Sequence, residues 1–141
     1  MIPNELDSLL NTDDAFTCIK CMNNIGSLVS LDFERGSDVF SALVYLAHWE
    51  VSKSGTSICT SDRNTNQICE ILTGKKLLCA KYAAKRLVLE FEMDINFSIS
   101  PALEFDYESG SEGDDLVDFF IEQIGKSISL NSLRGWFSED L

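Results

Sequence analysis

No stretch of this 141-residue chain approaches the ~20 consecutive apolar residues that a membrane helix requires, so a helical span is not expected. Bases are scarce: 11 Lys and Arg stand against 23 Asp and Glu, a net charge of −12. A deficit of that size argues against direct binding to nucleic acid or to an anionic membrane, both of which need surplus positive charge. It favours a basic partner, or simply solubility. Histidine is nearly absent, with His48 alone in LAHWEV. The H-E-x-x-H, P-loop, G-x-G-x-x-G and G-x-S-x-G patterns are all missing. No catalytic residue, cofactor or metal is therefore expected, and the phase of Val44 and Leu46 sets His48 in or near the core. The opening MIPNELDSLL has neither a basic n-region nor a long apolar run, from which a cytoplasmic location is expected.

What the chain does have is apolar mass. At 45% hydrophobic and 10% aromatic it carries enough for a real core, and its length fits one domain over 1–141. The five cysteines, Cys18, Cys21, Cys59, Cys69 and Cys79, make an odd count, as expected of reduced and mostly buried thiols. Cys18 and Cys21 form a C-x-x-C, but it lies in FTCIKCMNN, which reads as a strand rather than the start of a redox helix. No second pair stands at zinc-site spacing.

The segment LVSLDFERG, Leu28 to Gly36, has an echo in RLVLEFEMD, Arg86 to Asp94. A shift of 58 residues superimposes Ile19 on Leu77, Cys21 on Cys79, Leu31 on Leu89, Asp32 on Glu90 and Phe33 on Phe91, all read from the printed sequence. With a slightly longer offset, ALVY at Ala42 to Tyr45 meets ALEF at Ala102 to Phe105. This pattern predicts two sequence-related β-meanders, about 15–60 and 75–110, completing one core together. Period-2 alternation predicts strands near 15–22, 27–34, 40–52, 56–60, 76–82, 86–93, 95–99, 102–107 and 126–130. Helical signals occur at three places: after Asn4, over NTNQICEIL from Asn64 to a stop at Gly74, and over 114–124 in GDDLVDFFIEQIG. The expected class is α+β, mainly antiparallel sheet with two or three short helices.

Charge is distributed unevenly. The first 86 residues hold ten acids and nine bases, whereas Leu87 to Gly125 holds eleven acids and no Lys or Arg. Such asymmetry points to an interaction surface. In LEFDY, Leu103, Phe105 and Tyr107 alternate with Glu104, Asp106 and Glu108; in VLEFEMD, Leu89, Phe91 and Met93 alternate with Glu90, Glu92 and Asp94. Carboxylates two residues apart on a strand stand about 7 Å from one another, so these strands would present an acidic panel. The expected partner-binding set is Glu104, Asp106, Tyr107, Glu108, Glu112, Asp114, Asp115 and Asp118, with Glu90, Glu92 and Asp94 as a secondary set. A plainer reading stands beside it: half-buried strands put polar residues outward anyway, and Lys75, Lys76, Lys81, Lys85 and Arg86 lie just upstream to neutralise them. The run DYESGSEGDD, 106–115, is rich in acids but departs from the EF-hand loop, leaving at most weak calcium binding.

In size, acidity, expected location and lack of a catalytic set, the chain resembles the small acidic immunity proteins that bacteria pair with toxins, including those of contact-dependent growth inhibition. The resemblance implies a non-enzymatic inhibitor that binds one cognate toxin domain one-to-one, often a nuclease, and blocks its basic active-site cleft. A nucleic-acid-mimicking inhibitor of another enzyme, or a non-catalytic adaptor domain, would have a similar composition.

Overall fold

Alternating apolar residues need one face covered, and here a single sheet supplies the cover for itself. The structure, a computed structural model, describes residues 14–23, 28–45, 48–83, 86–100, 116–123 and 126–130. Their elements in chain order are β1 (Phe16–Asn23), β2 (Val29–Arg35), β3 (Asp38–Tyr45), β4 (His48–Lys53), β5 (Thr56–Thr60), α1 (Gln67–Leu72), β6 (Lys76–Ala83), β7 (Arg86–Phe91), β8 (Ile95–Ser100), β9 (Leu116–Gln123) and β10 (Lys126–Leu130). All strand pairs are antiparallel, in one 10-stranded sheet of order β10-β9-β3-β2-β1-β6-β7-β8-β4-β5.

Alternation decides the faces. Val29, Leu31 and Phe33 on β2, Leu87, Leu89 and Phe91 on β7, and Ile95, Phe97 and Ile99 on β8 are buried, while the residues between them are less so. Residues from β1 to β8 and from α1 join one buried cluster. Phe33 and Phe40, directly cross-strand, stack at 4.9 Å, and Phe33 stacks on Phe91 of the other half at 6.1 Å. Burying a large apolar side chain contributes about 1.5–3 kcal/mol, so this aromatic chain is a main cohesive element. Arg35 secures one margin: its guanidinium lies 4.3 Å over the Phe16 ring, donates to the Asp14 carbonyl and faces Asp38 at 3.5 Å.

The register relates the two halves position by position. Cys18 lies opposite Phe33 as Leu77 lies opposite Phe91, and Cys21 opposite Leu31 as Ala80 opposite Leu89. Each of β1 and β6 carries a bulge at the same place, where Ile19 and Leu78 are the extra residues, 48% and 47% exposed. The bulge explains the C-x-x-C: strict alternation would send Cys18 and Cys21 to opposite faces, but one inserted residue returns both to the core side. The register keeps the matches of Leu31, Asp32 and Phe33 to Leu89, Glu90 and Phe91 and moves two others. Ile19 corresponds to Leu78 rather than Leu77, and Cys21 to Ala80 rather than Cys79. Likewise Ala42, opposite Leu31, corresponds to Phe97, opposite Leu89, rather than to Ala102.

Each meander is then extended by the hairpin that follows the other one. The β4–β5 hairpin, next in sequence after β3, pairs with β8; the β9–β10 hairpin, downstream of β8, pairs with β3. The tight β4–β5 turn needs left-handed backbone at two successive residues, Ser54 (φ 53°) and Gly55 (φ 82°).

Several expectations are corrected. The class is mainly β rather than α+β: among the described residues there is one short helix, α1, held by buried Ile68 and Leu72 one turn apart and followed by Gly74 at φ 87°. The expected helix at 114–124 is strand β9 over its described part. The register sets Val117, Phe119 and Ile121 opposite the buried Val44, Ala42 and Phe40, so the β-forming Val, Phe and Ile satisfy the open ladder of β3. The long strand expected over 40–52 is two strands in different parts of the sheet. The strand expected at 102–107 and the helix after Asn4 lie outside the described residues. No described helix is long and apolar enough to cross a membrane.

The Phe33–Phe91 stack gives a testable expectation. Truncating either ring to Ala should cost about 3–5 kcal/mol in denaturant unfolding. The double variant should lose less than the sum of the two by about 0.5–1.5 kcal/mol, whereas strict additivity would show the halves are not coupled through these rings.

Candidate functional site

Of the partner-binding residues singled out in the sequence, Glu104, Asp106, Tyr107, Glu108, Glu112, Asp114 and Asp115 lie outside the described residues. Asp118 is on β9, opposite Leu43 in register. The secondary set is placed in detail, and much of it is committed internally. Glu90 accepts a hydrogen bond from the Cys79 thiol at 2.6 Å and faces the Lys81 ammonium at 3.3 Å. The thiol bond first, and then Lys81, hold the Glu90 carboxyl below its ordinary pKa. Glu92 accepts from the Lys76 amide at 2.7 Å, and its own amide donates to the Lys76 carbonyl at 2.9 Å. Asp94 lies in the β7–β8 turn at φ 59°, where its carbonyl accepts from the Ser54 amide. The alternation read through Met93 stops at Phe91: Met93 is itself in the turn and 59% exposed. Glu90 and Glu92 thus fasten β6 to β7, with Lys81 as the one upstream lysine that forms an ion pair on this strand among the described residues.

The cysteines are all free thiols. Cys18 and Cys21 of β1 gather with Cys59 of β5 and Cys69 of α1 where the helix packs on the sheet, with the Cys69 thiol beside that of Cys21. Burial, the leading cause for each, pushes Cys18 up to about 12 and Cys59 to about 11, and raises Cys21 further. Cys79 is raised to about 11 by burial and then by its bond to Glu90. Such thiols stay protonated near neutrality and are poor nucleophiles and poor metal ligands. Among the described residues, no group of three or more Cys, His, Asp or Glu could hold a metal ion.

A concave feature of the described surface is a cleft of about 290 Å³ on the outer face of the β7-β8-β4-β5 end. Register builds it in rows. Ser100 of β8 lies opposite His48 of β4, with Arg86 at the start of β7 beside them; in the next row Ser98 lies opposite Glu50, and Glu50 opposite Thr60. The Ser61–Asp62 turn folds back as a wall: the Ser61 amide donates to the Trp49 carbonyl at 2.9 Å, and the Trp49 amide donates to the Ser61 hydroxyl at 3.3 Å. Asp62 faces the His48 imidazole, with 3.9 Å between Oδ2 and Nδ1. His48 is therefore half-exposed on the outer face, and Trp49, not His48, enters the core, where it meets Phe97 edge-on at 5.8 Å. The misplacement has a physical cause: Val44 and His48 belong to different strands, so a period carried across 46–47 has no meaning.

Sequence reading missed this cleft. The polar alternation of His48 and Glu50, and of Ser98 and Ser100, marks two outward faces, but nothing local pairs β4 with a strand so far along the chain. No family model, curated protein or solved structure matches this chain. The geometry therefore stands as the basis for a functional reading.

The thiols provide a test with a defined sign. Their pKa values are higher folded than unfolded, so the folded state holds protons that the unfolded state releases. The stabilisation is complete below about pH 9, the ordinary thiol value, and is lost as pH rises towards the folded values of about 11 to 12. The melting temperature should fall across that range, and Cys59→Ala should flatten the fall. At neutral pH, alkylation should find five thiols only after unfolding; a native disulfide, or fast labelling of folded Cys18 and Cys59, would contradict this assignment.

Proposed function

We propose that the protein is a stoichiometric, non-catalytic inhibitor of the bacterial immunity type, binding one basic toxin domain in the cytoplasm through the acidic stretch from Glu104 to Asp118. The observation that carries this reading is the charge itself: eleven acids and no bases between Leu87 and Gly125, after 86 nearly neutral residues. Solubility does not call for such concentration, and like charges gathered in one segment cost stability unless something offsets them. Glu90 and Glu92 have internal partners, which leaves nine carriers of the field: Asp94, Glu122 and, within the proposed surface, Glu104, Asp106, Glu108, Glu112, Asp114, Asp115 and Asp118. A nuclease must keep a cationic cleft for phosphate, and an acidic surface competes for that cleft while steering rapid capture. Tyr107 supplies an aromatic anchor amid the carboxylates.

Charge reversal tests this. In Glu104→Lys, Asp106→Lys, Glu108→Lys, with folding confirmed by circular dichroism, capture of the partner from the native host should fail. With the purified partner, association should slow about tenfold or more and lose its dependence on salt. Burying a truncated charge pair costs about 2–5 kcal/mol, so the affinity change should be large. Unchanged affinity and salt dependence in the folded variant would reduce the acidic stretch to a solvated face.

A further inference from the structure

The polar cleft is charged in an ordered way, and its residues take no part in the acidic-surface reading. Arg86 stands at the β7 end, whereas Glu50 on β4 and Asp62 on the wall stand at the other, with the Ser98 and Ser100 hydroxyls between. Glu50 lies two strands and one row from Arg86, so spacings of about 4.8 Å between strands and about 7 Å between rows set the cationic and anionic ends about 12 Å apart at the backbone, a gap that side chains can shorten. Among the described residues neither Arg86 nor Glu50 forms an ion pair, so both keep their charge available at the rim. His48, facing Asp62, shares β4 with Glu50 and lines the cleft beside the anionic end.

We propose that this cleft binds a small zwitterion with separated charges, of the class of free basic amino acids and ω-amino acids. The ligand's carboxylate would lie on Arg86 and the Ser100 hydroxyl, and its ammonium between Glu50 and Asp62. The opposed charges exclude simpler ligands. A phosphate or other dianion would meet two carboxylates, and a diamine would meet Arg86. An apolar ligand would strip water from hydroxyls and charges without replacing their hydrogen bonds. The volume of about 290 Å³ is at the small end of ligand sites, as suits a molecule of amino-acid size.

The full chain titrated with L-lysine, and separately with 6-aminohexanoate, tests the assignment by amide chemical-shift mapping. Saturable shifts should appear at residues 48–50, 60–62, 86 and 98–100, with a dissociation constant of about 10 mM or below. Hexanoate and cadaverine, each lacking one kind of charge, should bind about tenfold more weakly or not at all. Arg86 and Glu50 are both exposed, so Arg86→Gln and Glu50→Gln should fold normally; each should weaken lysine binding about tenfold. The proposal is overturned if lysine produces no saturable shift, if cadaverine or hexanoate binds as well as lysine, or if either folded variant keeps wild-type affinity.

Discussion

The two halves of this sheet meet at a narrow joint between β1 and β6. Phe16 lies opposite Leu77 and Thr17 opposite Lys76, and the Cys18 backbone adds bonds to Gly74 and Lys75 before the bulges divert both strands. A ladder this short is a weak link on its own. Its strength comes from what it brings together: the buried faces of both meanders, with Phe33 against Phe91 and α1 packed on β1 with Ile68 and Leu72 buried. The exchanged hairpins then complete each half with strands contributed by the other's sequence neighbour, so neither meander is finished by its own following residues. The sheet is therefore a single cooperative body despite the narrow joint.

The same joint explains where polar groups are tolerated. Inward positions on β2, β7 and β8 are filled by Val, Leu, Ile and Phe, leaving no room for an ionised group. Polar interactions collect on the outer face, where they stitch neighbouring strands: Ser41 to Asp32, Cys79 and Lys81 to Glu90, and Lys76 to Glu92. These are modest contributors individually, because exposed pairs are screened by water. They do, however, help to fix register, since a one-residue slip would carry each carboxylate to the core side. The cleft at the β5 end differs in kind, because its Arg86 and Glu50 are not spent on such stitching.

Much of the fold was legible in the sequence, and the failures are instructive. The strands at 15–22, 27–34, 56–60, 76–82 and 126–130 could be read from their mix of alternating apolar and β-branched or aromatic residues, which is enough to signal a strand even where a bulge interrupts the period. The echo around Phe33 and Phe91 was legible because both occupy the same register position beside the joint. The segment from Leu116 to Gln123 was misread because Leu116, Phe119, Phe120 and Ile124 also satisfy a helical period, and only the vacant ladder of β3 decides between the two. The match of Cys21 to Cys79 failed because β1 and β6 correspond at an offset of 59 and β2 and β7 at 58, so the connection between the paired strands differs by one residue between the halves, and a single shift cannot align both. The cleft was illegible for a related reason. His48 and Ser100 become neighbours through a pairing that joins strands from different meanders, and no local pattern carries that information.

The exchanged hairpins also bear on how the chain reaches its native state during synthesis. β2 and β3 can pair as soon as they leave the ribosome, but the outer ladder of β3 finds its native partner only when residues 116–123 have emerged. Meanwhile Phe40, Ala42 and Val44, buried in the finished molecule, lie on a strand whose free edge can accept any extended segment. The β4–β5 hairpin, made earlier, must likewise wait for β8. Pairings between such distant segments slow folding and prolong the life of open edges. Translation speed over the second half of the chain therefore sets how long the nascent protein is vulnerable to joining its neighbours on a polysome.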